Sequence, residues 1–324
     1  MSRLQNVADF ASRHRRLIGV GQVVLVAVFF GIFGWGLRGT FSSAGHDLGN
    51  SNLALFALGC VALAAYYLVF VLGWRWILAE WGVKISYPIA LQSEMVSMLA
   101  KYIPGGVWTP AARVVAARRA GVTDAWLVTS SMLLEAGLSA VSGVIVFVLG
   151  LAFVDNVNAP LAPLVVFGVV IAILVQPRVF RPLAGRIMRR FGYKRELPNM
   201  RARTLSALLV FYAGTWVLGG TALWLMLYSV GAHPEAASVV YLGGVAAVGA
   251  IVAVLVVFAP SGLGVREASM YGLMLAVATP GQALGAVALN RLALTGIELL
   301  LLLVGGVLLR RSSRGGAEPA EAPS

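Results

Sequence analysis

Residues 237–267 read "ASVVYLGGVAAVGAIVAVLVV" and then "FAPSGLGVRE": twenty-one residues without a charge, followed by a proline, two glycines, an arginine and a glutamate. A helix that crosses the hydrocarbon of a bilayer needs roughly 20 apolar residues, so 238–258 reads as a membrane span. Backbone that leaves the helix within a membrane exposes N–H and C=O groups that lipid cannot satisfy. It is tolerated only where it is buried in protein or lines a polar cavity. A break at Pro260, Gly262 and Gly264 beside Arg266 and Glu267 therefore predicts a polar cavity inside an all-helical, polytopic membrane protein.

Composition agrees with that class. Of 324 residues 59% are hydrophobic and 12% charged, and the mean hydropathy is +0.86, which excludes a soluble globule. The excess of 25 Lys and Arg over 13 Asp and Glu, a net +12, is what the positive-inside rule requires of cytoplasmic loops, and it implies contact with anionic lipid rather than nucleic acid. The single cysteine, Cys60, lies in an apolar run, so no disulfide framework or metal-ligand spacing exists. His14, His46 and His233 are scattered, and no Walker lysine, HExxH or GxSxG occurs. No cofactor or metal is expected.

Working outward, long apolar runs fall at 17–36, 53–73, 126–151, 160–176, 205–230, 238–258 and 286–309. They divide the chain into a basic cytoplasmic segment 1–16, a helical membrane domain 17–309 and a disordered tail 310–324. The most basic loop, 178–203, marks its side as cytoplasmic. Both termini on that side require an even number of crossings, so the short apolar segment Ala268–Ala278 is counted as the eighth. Residues 86–106 are apolar for about sixteen residues and contain Glu94 and Lys101, too short and too polar to span. They are predicted to dip in and return as a re-entrant segment. Pro104 and Pro260 lie 156 residues apart, close to half the chain. Gly/Pro-interrupted segments at matching places in two halves point to a two-half pseudo-repeat and a transporter's substrate site. Trp74, Trp76 and Trp81 read most simply as an interfacial belt.

Charge inside the membrane costs at least about 2.5 to 3.5 kcal/mol per residue, so the internal charges are the candidate site: Glu94, Lys101, Arg113, Glu135, Arg266, Glu267, Arg291 and Glu298. Arg291 and Glu298 are seven apart and share a helix face, as do Glu94 and Lys101. Arg266 and Glu267 diverge by about 100° on a helix, so one partner cannot satisfy both. Glu267 suits a helix N-terminus, and Arg266 is left for an anion. For Glu94, Glu135 and Glu298 the alternative is pairing with an opposite charge on a neighbouring helix. Arg118 and Arg119 are read as snorkelling to headgroups.

"SMLAKYIPGGVWTPAARVVAARRAGV", "FAPSGLGVREASMYGLM" and "LNRLALTGIELLLLLVGG" together resemble the lysylphosphatidylglycerol synthase transmembrane family, over about residues 15–310. The resemblance places Lys101, Pro104, Gly105, Arg113, Pro260, Gly262, Gly264, Arg266, Glu267, Arg291 and Glu298 at the family's recurrent positions. It implies a flippase moving a lipid with a charged headgroup between leaflets of a bacterial inner membrane. The aminoacyl-transfer domain of full-length synthases does not follow, so lipid aminoacylation is not expected. On this reading Arg113, Arg266 and Arg291 hold a lipid phosphate, the acids orient them, and the partners are membrane lipids. A separately encoded synthase or glycosyltransferase partner, and homo-oligomerisation, stay open. Two other classes stay open as well: an intramembrane transferase acting on a lipid carrier, with Glu94, Glu135 or Glu267 as base, and a non-catalytic membrane subunit.

Overall fold

The computed structural model describes residues 51–100, 108–119, 121–155, 157, 161–190, 197–256, 262 and 264–315. Among these the chain forms ten α-helices and no strand: α1 Leu53–Glu80, α2 Tyr87–Ala100, α3 Trp108–Arg119, α4 Ala125–Gly150, α5 Leu161–Val175, α6 Pro177–Arg190, α7 Ala202–Ser229, α8 Ser238–Leu255, α9 Val265–Met274 and α10 Pro280–Gly315. Five helices are long and apolar enough to cross a membrane, namely α1, α4, α7, α8 and the first 25 residues of α10. They become six if α5 and α6, bent by 73°, are one span. Five of the expected runs thus fall on these helices and the run at 160–176 on α5. The expected first span 17–36, the segment 1–16 and residues 316–324 of the expected tail 310–324 lie outside the described residues, whereas 310–315 continue α10.

Contacts at the helix ends give the bundle its direction. Asn52 caps α1 by accepting from the Ala54 and Leu55 N–H groups at 3.0 and 3.2 Å, the usual role of an N-cap amide. Its own N–H donates to Ser229 O at the end of α7. The end of α4 is there too, because a Cβ added to Gly150 would lie 2.5 Å from Tyr241 Cα. Gln282 Nε2 donates to Gly231 O at 2.9 Å and brings in the start of α10. At the opposite end Glu80 meets Arg201 at 4.0 Å, and Trp81 packs with Leu134 and Leu205. We call this the basic end, since α6 and Arg201 lie there. Between the ends α4, α7 and α8 come together through glycine. A Cβ on Gly220 would stand 2.4 Å from Gly243 N, and one on Gly244 would stand 2.3 Å from Phe147 Cα. Small residues of this kind let membrane helices approach at backbone contact.

Two pairs of helices fold back on themselves. Helices α2 and α3, of 14 and 12 residues, reach about 21 and 18 Å at 1.5 Å per residue, short of a hydrocarbon core of about 30 Å. The pair leaves the bundle's basic end after Trp81 and hands over to α4 at the same end, where Trp126 and Leu127 pack in the cluster of Trp81 and Leu134. Helix α9 runs back along α8, with Gly262 against Ala253 and Tyr241 OH donating to Leu273 O at 2.8 Å. Its ten residues cover about 15 Å. The expectation that the segment after Glu267 forms a crossing is corrected to this extent: α9 is half the required length.

Two further expectations are corrected. The first half of the basic loop 178–203 is helical, through Arg190, because Val179, Phe180, Leu183, Ala184, Ile187 and Met188 recur at helical spacing between its arginines. Trp74 is not part of an interfacial belt. It is fully buried, as is nearly all of Trp81, whereas Trp76 is exposed.

Candidate functional site

The fold-back of α2 and α3 brings three charges into the bundle core. Arg113 on α3 donates through Nη1 to Glu135 Oε2 on α4 at 2.6 Å, forms an ion pair through Nη2 with Glu94 Oε1 on α2, and donates through Nε to Ser97 Oγ at 3.2 Å. Ser97 Oγ donates in turn to Glu94 O at 2.7 Å. The guanidinium carbon stands 4.9 Å from the Trp74 ring centroid, and Tyr212 OH on α7 donates to the free edge of Glu135 at 3.3 Å. Arg113, Glu94 and Glu135 are 3%, 1% and 4% exposed. A planar fork meeting two carboxylates is the geometry for which arginine is suited. With Trp74 and Tyr212 the group joins five helices, and removing one charged member leaves an uncompensated buried charge.

The second constellation is built on the backbone break. Gly262 and Gly264 have φ of +63° and +83°, a region that glycine enters without a side-chain clash. Gly264 then starts α9, and its N–H donates to Glu267 Oε2 at 2.6 Å, which satisfies a helix-end donor and sets the carboxylate at the positive end of the helix. The other oxygen, Glu267 Oε1, accepts from Arg291 Nη1 at 3.1 Å. Farther along α10, Glu298 accepts from Tyr67 OH at 2.5 Å. Arg266 is different. Its stem lies over Gly249, with Cγ 3.3 Å from where a Cβ would stand, and its Nε is buried without a hydrogen-bond partner.

The depth of this constellation follows from helix rise. Arg291 is eleven residues from Pro280, or about 16 Å at 1.5 Å per residue, near the middle of a hydrocarbon core of about 30 Å. Tyr66 on α1 packs edge-on against Tyr67, with ring centroids 5.3 Å apart, and so stands beside the residue that holds Glu298.

Of the residues singled out from sequence, Glu94, Arg113 and Glu135 form one group and Glu267 and Arg291 a second, with Glu298 and Arg266 nearby. Lys101, Pro104, Gly105 and Pro260 lie outside the described residues. Tyr66, Tyr67, Ser97 and Tyr212 were not foreseen. A signal existed for the face that Tyr212 meets: Ser131, Glu135, Ser139 and Ser142 follow one another at helical spacing on α4 and are all buried. Ser131 Oγ accepts from Trp74 Nε1 at 2.9 Å and Ser142 Oγ donates to Leu209 O at 2.8 Å, so the stripe binds α1 and α7 to α4. Among the described residues no group of His, Cys, Asp and Glu could hold a metal ion.

The family model of the lysylphosphatidylglycerol synthase TM region matches residues 16–305. No protein of curated function matches the chain.

Proposed function

Since the chain belongs to the lysylphosphatidylglycerol synthase transmembrane family, which ties it to membrane lipid, we propose that it is a flippase: it moves a lipid with a charged headgroup between leaflets without making or breaking a covalent bond. The observation that carries this reading is Arg266. Its Nε is buried without a partner beside backbone that Gly262 and Gly264 turn out of helix. A guanidinium in that setting calls for an anion, and its fork matches a phosphate diester.

The roles divide by what each arginine already holds. Arg113 has carboxylates at both nitrogens of its outer edge, so the phosphate role passes from it to Arg266. Arg291 holds Glu267 and thereby fixes the start of α9 next to Arg266. The α2–α3 hairpin has its base at the basic end and the α8–α9 pair at the opposite end. Two interrupted hairpins of opposite direction support an inverted pseudo-repeat, with α2–α3 as the re-entrant arm, and the gating of one against the other that transport requires. The basic end is taken as cytoplasmic by the positive-inside rule, with both termini on that side.

Lipidomics of a deletion strain with leaflet-specific labelling tests the proposal. A flippase predicts one lipid depleted in one leaflet with its total amount preserved. Disappearance of that lipid from the whole membrane would mean that the protein makes it, and the transferase reading would replace this one.

A further inference from the structure

Helix α6 carries a surface that the proposed role of Arg266 does not use. It follows the apolar α5 across a bend of 73°. If α5 stands along the membrane normal, α6 lies almost in the membrane plane at the basic end. Its 14 residues contain Arg178, Arg181, Arg186, Arg189 and Arg190 and no acid.

At about 100° per residue the helix has three faces. Phe180, Ala184 and Met188 fall on one arc and pack with Trp81, Leu134, Leu197 and Met200. Arg178, Arg186, Arg189 and Arg190 occupy an adjoining arc of roughly 120°, and all four are exposed. Between that arc and the packed face stand Leu183 and Ile187, 39% and 46% exposed. An apolar strip next to a basic strip, on a helix parallel to the membrane plane, is the pattern of an interfacial helix.

We infer that α6 lies in the bilayer interface, with Leu183 and Ile187 in the acyl boundary and Arg178, Arg186, Arg189 and Arg190 on the phosphates of anionic glycerophospholipids. Two observations choose lipid over a protein partner. The face continues directly from a helix apolar enough to be membrane-embedded, and its charge is wholly positive, complementary to an anionic leaflet. This contact holds α6 against the bundle next to Trp81, and it does not depend on whether Arg266 binds substrate.

Spin labels on the full chain test it. In a Cys60→Ser background, labels at Ile187→Cys and at Arg189→Cys are compared in nanodiscs of phosphatidylcholine with and without phosphatidylglycerol. The expected result is a label at 187 that collides with dissolved oxygen and is shielded from an aqueous nickel chelate, the reverse at 189, and deeper burial of 187 when phosphatidylglycerol is present. Because each arginine near an anionic surface contributes about fivefold in affinity, the variant R178Q/R186Q/R189Q/R190Q should retain at least tenfold less co-purified phosphatidylglycerol by native mass spectrometry. Access of the chelate to 187 as free as to 189 in both compositions would overturn the inference and mark the strip as a site for a soluble partner. So would undiminished phosphatidylglycerol on the quadruple variant.

Discussion

Arg291 Nη1 lies 3.1 Å from Glu267 Oε1, and the second oxygen of that carboxylate closes the Gly264 N–H at 2.6 Å. One acid thus fixes a neighbouring helix and the start of its own. The adjacent Arg266 points elsewhere, as successive residues on a helix must.

Removing that acid should loosen the start of α9. Glu267→Ala is expected to lower stability by about 1 kcal/mol for the lost cap alone, and further because the ion pair between Glu267 and Arg291 is lost. Glu267→Gln, which keeps an acceptor for the Gly264 N–H, should lie between the two. Thermal unfolding in detergent gives the ranking; a Gln variant as unstable as Ala would mean that the charge pair, not the cap, dominates.

The buried group around Arg113 predicts a larger effect. Arg113→Met leaves Glu94 and Glu135 facing each other within an apolar core, and breaking a buried pair in this way costs about 3 to 5 kcal/mol. Adding Glu94→Gln and Glu135→Gln to the same chain should restore most of the loss. Yield and thermal stability of the single and triple variants decide it. A triple variant no better than the single would show that the destabilisation is one of shape and not of charge.

How far the sequence discloses this site differs between its halves. The break at Gly262 and Gly264 and the placing of Arg266 and Glu267 are local, written in residue order, and were legible. The Arg113 group was not, because Glu94, Arg113 and Glu135 come together through a helical hairpin, and no spacing within one segment reveals a partner on another. Trp74 misled for a related reason: a tryptophan near the end of a span looks interfacial until an arginine from a different helix comes to lie against it. Helix α6 was hidden by its charge, which drew attention away from the apolar strip beneath.

Close packing predicts a contrast between two glycines of α7. Gly220→Ala places its Cβ 2.2 Å from Val239 O, so α7 and α8 must separate, at an expected loss of about 1 to 3 kcal/mol. Gly214→Ala meets nothing within 4 Å and should leave stability unchanged or slightly raised. Equal melting temperatures for the two variants would contradict the backbone contact at Gly220.

The assigned sides of the membrane can be read with two cysteines in a Cys60→Ser background. Asp155→Cys should react with an impermeant maleimide in intact cells, and Arg190→Cys only after the cells are opened. The reverse pattern would invert the topology.

Most direct for the central claim is lipid transfer by purified protein in vesicles, measured for Arg266→Lys and with folding checked by thermal melting. Lysine keeps the charge but loses the planar fork. If Arg266 holds the lipid phosphate, the variant melts like the parent chain and transfer falls at least tenfold, as the loss of one charge-assisted contact of about 1.5 to 3 kcal/mol implies. A folded Arg266→Lys protein that transfers lipid at the parent rate would contradict the account.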